Sequence, residues 1–159
     1  MKDKIDPITF GGGHERGLRP GTLPTPSIVG FGAACEIYEK NQNQINARIN
    51  KLTQILLSNI KNEFPNLIIN GDVKNRIPGN LNISFPQIAG KSLIKKMTEI
   101  AVSSGSACTT STPHPSHVLK GLKLNNSIIK STVRLGVGKF NTKEEINIAS
   151  NHIIDSIKR

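Results

Sequence analysis

Apolar residues recur at steps of three, four or seven through Ile28, Phe31, Cys35, Tyr38, Ile45, Ile49, Leu52, Leu56 and Ile60. That spacing predicts one long amphipathic helix over residues 28–62. Pro24 and Pro26 precede it and Pro65 follows it, the usual placing of proline at helix boundaries. At 1.5 Å per residue such a helix runs roughly 50 Å, longer than a small domain needs and suited to connecting two bodies. Cys35 lies on the apolar stripe, so a packed position is expected for it.

Past Pro65 the period shortens. LIIN and NLNISF are short strand candidates separated by the turn-rich GDVKNRIPG. KSLIKKM predicts a short helix with Leu93, Ile94 and Met97 on one side, Ala101 and Val102 a brief strand, and residues 116–122 another helix. STVRLGVG alternates as a strand, with Val133, Leu135 and Val137 on one face and Thr132, Arg134 and Gly136 on the other. Thr142-x-x-Glu145 forms a capping box that opens a final helix with an apolar stripe of Ile146, Ala149, Ile153, Ile154 and Ile157. Strands interleaved with helices, without a strict βαβ repeat, predict an α+β fold.

Composition narrows the picture. Of 159 residues, 36% are hydrophobic and 20% charged, while aromatics make up 4% with no Trp. The chain therefore reads as globular, with an aliphatic core of one domain or slightly more. No run reaches the length of a membrane span, and MKDKIDPITF lacks the apolar stretch of a signal peptide. Two cysteines without a CxxC pattern fit a reducing compartment, so a cytoplasmic location is expected. The net charge of +10 fits either an ordinary Lys-rich surface or an acidic partner. The basic residues are scattered, with few aromatics between them to stack bases, so no direct nucleic-acid contact is expected.

Candidate chemistry concentrates in AVSSGSACTTSTPHPSHVL, residues 101–119. Cys108 follows a Ser/Gly run that leaves the backbone free to move, and Pro113 and Pro115 close the loop. A thiol in a loop rather than among Leu, Ile and Val is expected to be a working one. Cys108, His114 and His117 give three metal ligands where a structural zinc site wants four, so no stable metal site is expected. A Cys/His nucleophile pair would need the imidazole within hydrogen-bond reach of the thiol. Arg134 stands on the open face of its strand, and its fork suits a carboxylate or phosphate; a structural ion pair is the other reading. Residues 8–27 are rich in Gly and Pro and match neither a P-loop nor a dinucleotide fingerprint. They form a structural turn, or, with backbone amides beside Thr22 and with Arg16 and Arg19 nearby, a phosphate-binding loop.

GGGHERGLRPGT, AVSSGSACT, the following PSHVL and STVRLGVGKFNTKEE together resemble NifS/IscS-type cysteine desulfurases of the class V aminotransferase group, over essentially the whole chain. The SSGSAC form is similar to the long-loop subgroup that serves iron–sulfur cluster assembly and tRNA thiolation. The resemblance implies a fold-type I, pyridoxal 5'-phosphate-dependent homodimer that removes sulfur from L-cysteine, leaving L-alanine and a persulfide on Cys108. A scaffold or other sulfur-acceptor protein would take that sulfur, and Cys108 would serve at times as an iron–sulfur ligand. Arg134 would hold the substrate carboxylate, and Thr22 would reach the cofactor phosphate of the neighbouring subunit. Residues 1–27 would be a remnant of the large cofactor-binding domain. Residues 28–159 would be the small C-terminal domain, with a mixed or antiparallel sheet and a long connecting helix.

The chain also departs from the family pattern. No His-Lys segment supplies the cofactor's lysine, and Lys91 in GKSLI matches a helix position instead. Pro20 and Gly136 stand where small serines are common. The resemblance therefore implies a C-terminal part of the enzyme, active only with its large domain. The competing expectation is a cofactor-free sulfur-relay or protein-binding module.

Overall fold

The computed structural model describes residues 5–86, 88, 93, 94, 96–103 and 116–159. Two compact units divide the chain, Met1–Gln42 and Asn43–Arg159. Among the described residues no helix is long and apolar enough to cross a membrane.

Helix α1 spans Thr25–Glu63, about 58 Å at 1.5 Å per residue. It starts slightly earlier than the apolar period suggests, with Pro26 in its first turn, where a missing N–H leaves no intrahelical bond unmade. Its trailing residues Ile49, Leu52, Leu56 and Ile60 are buried, Ile60 completely. The leading part differs from expectation. Ile28, Phe31 and Tyr38 are 51%, 74% and 53% exposed, and Cys35 is an exposed free cysteine rather than a core residue. The apolar spacing is real there, but Ile28, Phe31 and Tyr38 remain more than half exposed.

Three strands form one antiparallel sheet in the order β1-β2-β3: Ile68–Ile69, Asn80–Ser84 and Thr132–Gly136. Ile83 faces Ile69 on one side and Val133 on the other, and Asn82 faces Arg134. In place of the expected strand at Ala101 and Val102, the chain makes one antiparallel bridge, Ser103 to Arg134. Alternation gives the sheet two unlike faces. Leu81, Ile83, Val133 and Leu135 join Ile49, Leu52, Leu56 and Ile60 of α1 in the core. The opposite positions carry Asn80, Asn82 and Ser84 on β2 and Thr132, Arg134 and Gly136 on β3.

Helix α2 (His117–Gly121) is N-capped by Ser116, and α3 (Asn126–Lys130) by Asn125, whose side chain accepts from the Ile128 amide. Helix α4 (Lys143–Lys158) opens on the expected capping box of Thr142 and Glu145 and buries Ile146 and Ile153. Ala149, Ile154 and Ile157 are half-buried, while Ser150 and Ser156 complete the buried face. Leu93 and Met97 are buried in the core and Ile94 packs against it.

Gly79 sets how closely the sheet approaches α1. Its φ is +83°, and a Cβ there would lie 2.1 Å from the Val137 carbonyl oxygen and 2.9 Å from Ile49 Cγ2. Only glycine tolerates both conditions. The Val137 amide donates to the Gly79 carbonyl at 2.9 Å, tying the chain just past the end of β3 to Gly79.

Candidate functional site

Arg134 occupies the centre of β3 and is half-buried. Its backbone N–H donates to the Ser103 carbonyl at 2.7 Å, and the Ser103 N–H donates back at 3.3 Å. It lines a cavity of about 320 Å³ together with Asn70, Asp72, Arg76, Asn82 and Ser116. Cys108 and His114 lie outside the described residues. The described residues on either side of their segment do meet Arg134: Ser103 pairs with it, and Ser116 shares its cavity. His117 is the first residue of α2 and is exposed. Among the described residues no cluster of His, Cys, Asp or Glu could hold a metal ion.

The loop between β1 and β2 forms one wall of that cavity and is held by two groups the sequence did not single out. Asp72 accepts from the amides of Lys74 (2.7 Å) and Asn75 (3.1 Å) and from the Asn75 side chain (2.9 Å). Those bonds, the Asn75 amide foremost, hold the Asp72 carboxyl below its ordinary range, with a smaller contribution from Arg76. Arg76 directs its guanidinium at three backbone carbonyls, of Asp72 (2.8 Å), Asn70 (2.8 Å) and Asn80 (3.3 Å). The GDVKNRIPG composition marked this stretch as a turn. An Asp at position 72, whose side chain accepts from amides two and three residues on, was the available signal that the turn is pinned.

A second polar assembly crosses the sheet on the Arg134 face. Asn70 Nδ2 donates to Asn82 Oδ1 and to Ser84 Oγ, both at 2.7 Å. Ser84 Oγ lies 2.6 Å from Thr132 Oγ1, which donates to the Ile128 carbonyl at 2.8 Å. Asn70, Ser84 and Thr132 are all buried. Sequence alternation had marked Thr132 as the open face, and a cross-strand hydroxyl pair is what closes it.

Thr22 belongs to the unit of residues 1–42 and is exposed. It follows Gly21, whose φ is +109°. The turn before it is tight: Glu15 and Arg16 both have positive φ, and the Gly17 amide donates to the Gly13 and His14 carbonyls. Arg16 and Arg19 are exposed nearby. These donors suit an anion such as a phosphate. They do not make a site for pyridoxal phosphate, because residues 5–27 contain no lysine and Phe10, their one aromatic, is 85% exposed.

Comparison with known proteins gives a consistent result. The family model for aminotransferase class-V matches residues 1–148. The chain is 45% identical over 156 residues to a cysteine desulfurase IscS of Ehrlichia chaffeensis and 48% identical over 156 residues to that of Aeromonas hydrophila. Each match covers 98% of this chain and 38% of the relative. The solved structure of a NifS-like protein from Rickettsia africae superposes with a TM-score of 0.83 at 26% identity, covering 98% of this chain and 41% of that one. The chain thus spans well under half the length of the relatives it matches.

Proposed function

Because this chain belongs to the class-V aminotransferase family, we propose that it supplies the substrate-holding and sulfur-accepting part of a cysteine desulfurase. The observation that carries this reading is the placing of Arg134. Its backbone pairs with Ser103 and it lines a cavity with Ser116, the described residues that bracket the Cys108 segment. A guanidinium there holds the carboxylate of L-cysteine, and in this reading the Cys108 thiol takes the substrate's sulfur.

Overall, L-cysteine and the Cys108 thiol become L-alanine and a Cys108 persulfide. The substrate's carbon–sulfur bond breaks, its electron pair stays on carbon and takes up a proton, and a sulfur–sulfur bond forms. A thiolate performs that attack and a hydroxyl does not. Pyridoxal phosphate, on which the family's chemistry depends, is assigned to residues outside this chain, with Thr22 contributing one donor to its phosphate across a homodimer. In this reading residues 1–27 belong to the large domain and residues 28–159 form the small one. The persulfide passes to a sulfur-acceptor protein for iron–sulfur cluster assembly or tRNA thiolation in the cytoplasm, and Cys108 serves transiently as a cluster ligand.

Kinetics of the full-length enzyme, this chain together with the part of its relatives' length that it lacks, tests the proposal. Cys108→Ser abolishes release of sulfide from L-cysteine and leaves cofactor binding intact. Arg134→Ala loses a charge-assisted bidentate contact worth about 1.5–3 kcal/mol, raising KM roughly ten- to a hundredfold. Sulfur transfer by this chain without pyridoxal phosphate would instead establish a cofactor-free relay.

A further inference from the structure

The hydrogen bonds crossing the sheet have a direction, and their last acceptor fixes it. The Ile128 carbonyl can only accept, so the Thr132 hydroxyl 2.8 Å away donates to it. Thr132 has a single hydroxyl proton, so at 2.6 Å Ser84 is the donor and Thr132 the acceptor. With its proton placed there, Ser84 Oγ accepts from Asn70, and the Asn70 atom facing it is Nδ2. The same Nδ2 faces Asn82, so the Asn82 atom at 2.7 Å is Oδ1. One carbonyl at α3 thereby sets the orientation of an amide two strands away.

The buried, unpartnered Asn70 Oδ1 is the consequence of that order. Turning the Asn70 amide over would set its oxygen against the oxygens of Ser84 and Asn82. One unsatisfied acceptor is the smaller penalty.

Holding Oδ1 toward Asn70 leaves the Asn82 amino group, a two-proton donor, as its polar end at the cavity wall. Directly across the β2–β3 pair stands Arg134, and facing residues of an antiparallel pair share one face of the sheet. Both line the same cavity of about 320 Å³. A cationic fork beside a neutral amide donor matches the two oxygens of a carboxylate.

We propose that Asn82 is a second binding residue for the α-carboxylate of the substrate amino acid. Thr132, Ser84 and Asn70 are positioning residues that keep its donor turned outward. This rests on the reading of Arg134 as the carboxylate-holding residue.

Steady-state kinetics of the full-length enzyme with L-cysteine decides it. Asn82→Asp is isosteric, keeps an acceptor for Asn70 and replaces the outward donor with an anion. KM rises at least about tenfold while kcat stays within about twofold, the signature of lost substrate binding. Thr132→Val raises KM about threefold or more by freeing the amide to turn, and Thr132→Ser, which restores the hydroxyl, returns KM to the parent value. Should Asn82→Asp melt below the assay temperature, Asn82→Ser is held to the same KM criterion. If Arg134→Ala raises KM but the Asn82 variants stay within twofold of the parent, the role of Asn82 is overturned and that of Arg134 stands. If Arg134→Ala leaves KM unchanged, the reading of Arg134 fails and the role of Asn82 fails with it.

Discussion

The two halves of α1 share one apolar period and have opposite surroundings. Ile49, Leu52, Leu56 and Ile60 lie against Leu81, Ile83, Val133 and Leu135 of the sheet and Ile146 and Ile153 of α4. Ile28, Phe31 and Tyr38, spaced just as regularly, are more than half exposed. Helical period reports which face of a helix requires cover; it does not report whether this chain provides it. One cysteine illustrates the point. Cys35 sits on the regular stripe yet is exposed, because its stretch of stripe is the uncovered one. A contiguous exposed apolar face is the kind of surface another body covers, in keeping with a chain that spans 38% of the length of its IscS relatives.

Substitutions along the stripe separate the halves. Ile60→Ala, at a fully buried position, lowers stability by about 2–5 kcal/mol, read from urea denaturation of the 159-residue chain. Phe31→Ala, at 74% exposure, changes it by no more than about 0.5 kcal/mol while reducing binding of an apolar dye. Equal losses at both positions would show that the leading half is packed after all. The trailing unit also contains α4, whose start is sharpened by its cap. Thr142→Ala removes the acceptor of the Glu145 amide and costs about 1 kcal/mol, seen as a lower urea midpoint with an unchanged slope.

A smaller effect follows from pH. The Asn141 side chain first, and the Thr142 amide next, hold the Glu145 carboxyl below its ordinary value of 4.5. A depressed folded value means that the carboxylate's contribution is fully present above pH 4.5 and is lost as pH falls through the lower folded value. Glu145→Gln flattens that part of the acid limb of the stability curve and leaves the neutral plateau nearly unchanged. An acid limb identical in parent and variant contradicts the capping role.

Much of the frame was legible because its signals were local and repeated. The period of α1, the alternation of β3 and the Thr142/Glu145 box each span enough residues to declare an element. Helix α3 was not legible, since Asn125 marks its start only once the cap bond is seen. The candidate site was legible at Arg134, where a charge on a strand required an explanation. Asn82 was passed over because an Asn on an alternating strand reads as solvent-facing. Its proposed role depends on Asn70, Ser84 and Thr132, which come from three different strands or strand ends and meet only in the fold.

A further test concerns the proposed cofactor. The sequence holds no His-Lys segment, so the 159-residue chain mixed with pyridoxal phosphate is expected to form no stoichiometric, borohydride-fixed adduct at a single lysine. Such an adduct accompanied by desulfurase turnover would place the complete cofactor site within this chain.

The central claim is that the working sulfur is carried by Cys108 and not by the exposed Cys35. Mass mapping of the full-length enzyme after a single turnover with L-cysteine tests it directly. One additional sulfur atom on the peptide containing Cys108, lost in Cys108→Ser and retained in Cys35→Ser, is the expected result; the additional sulfur on Cys35, or on neither cysteine, would contradict it.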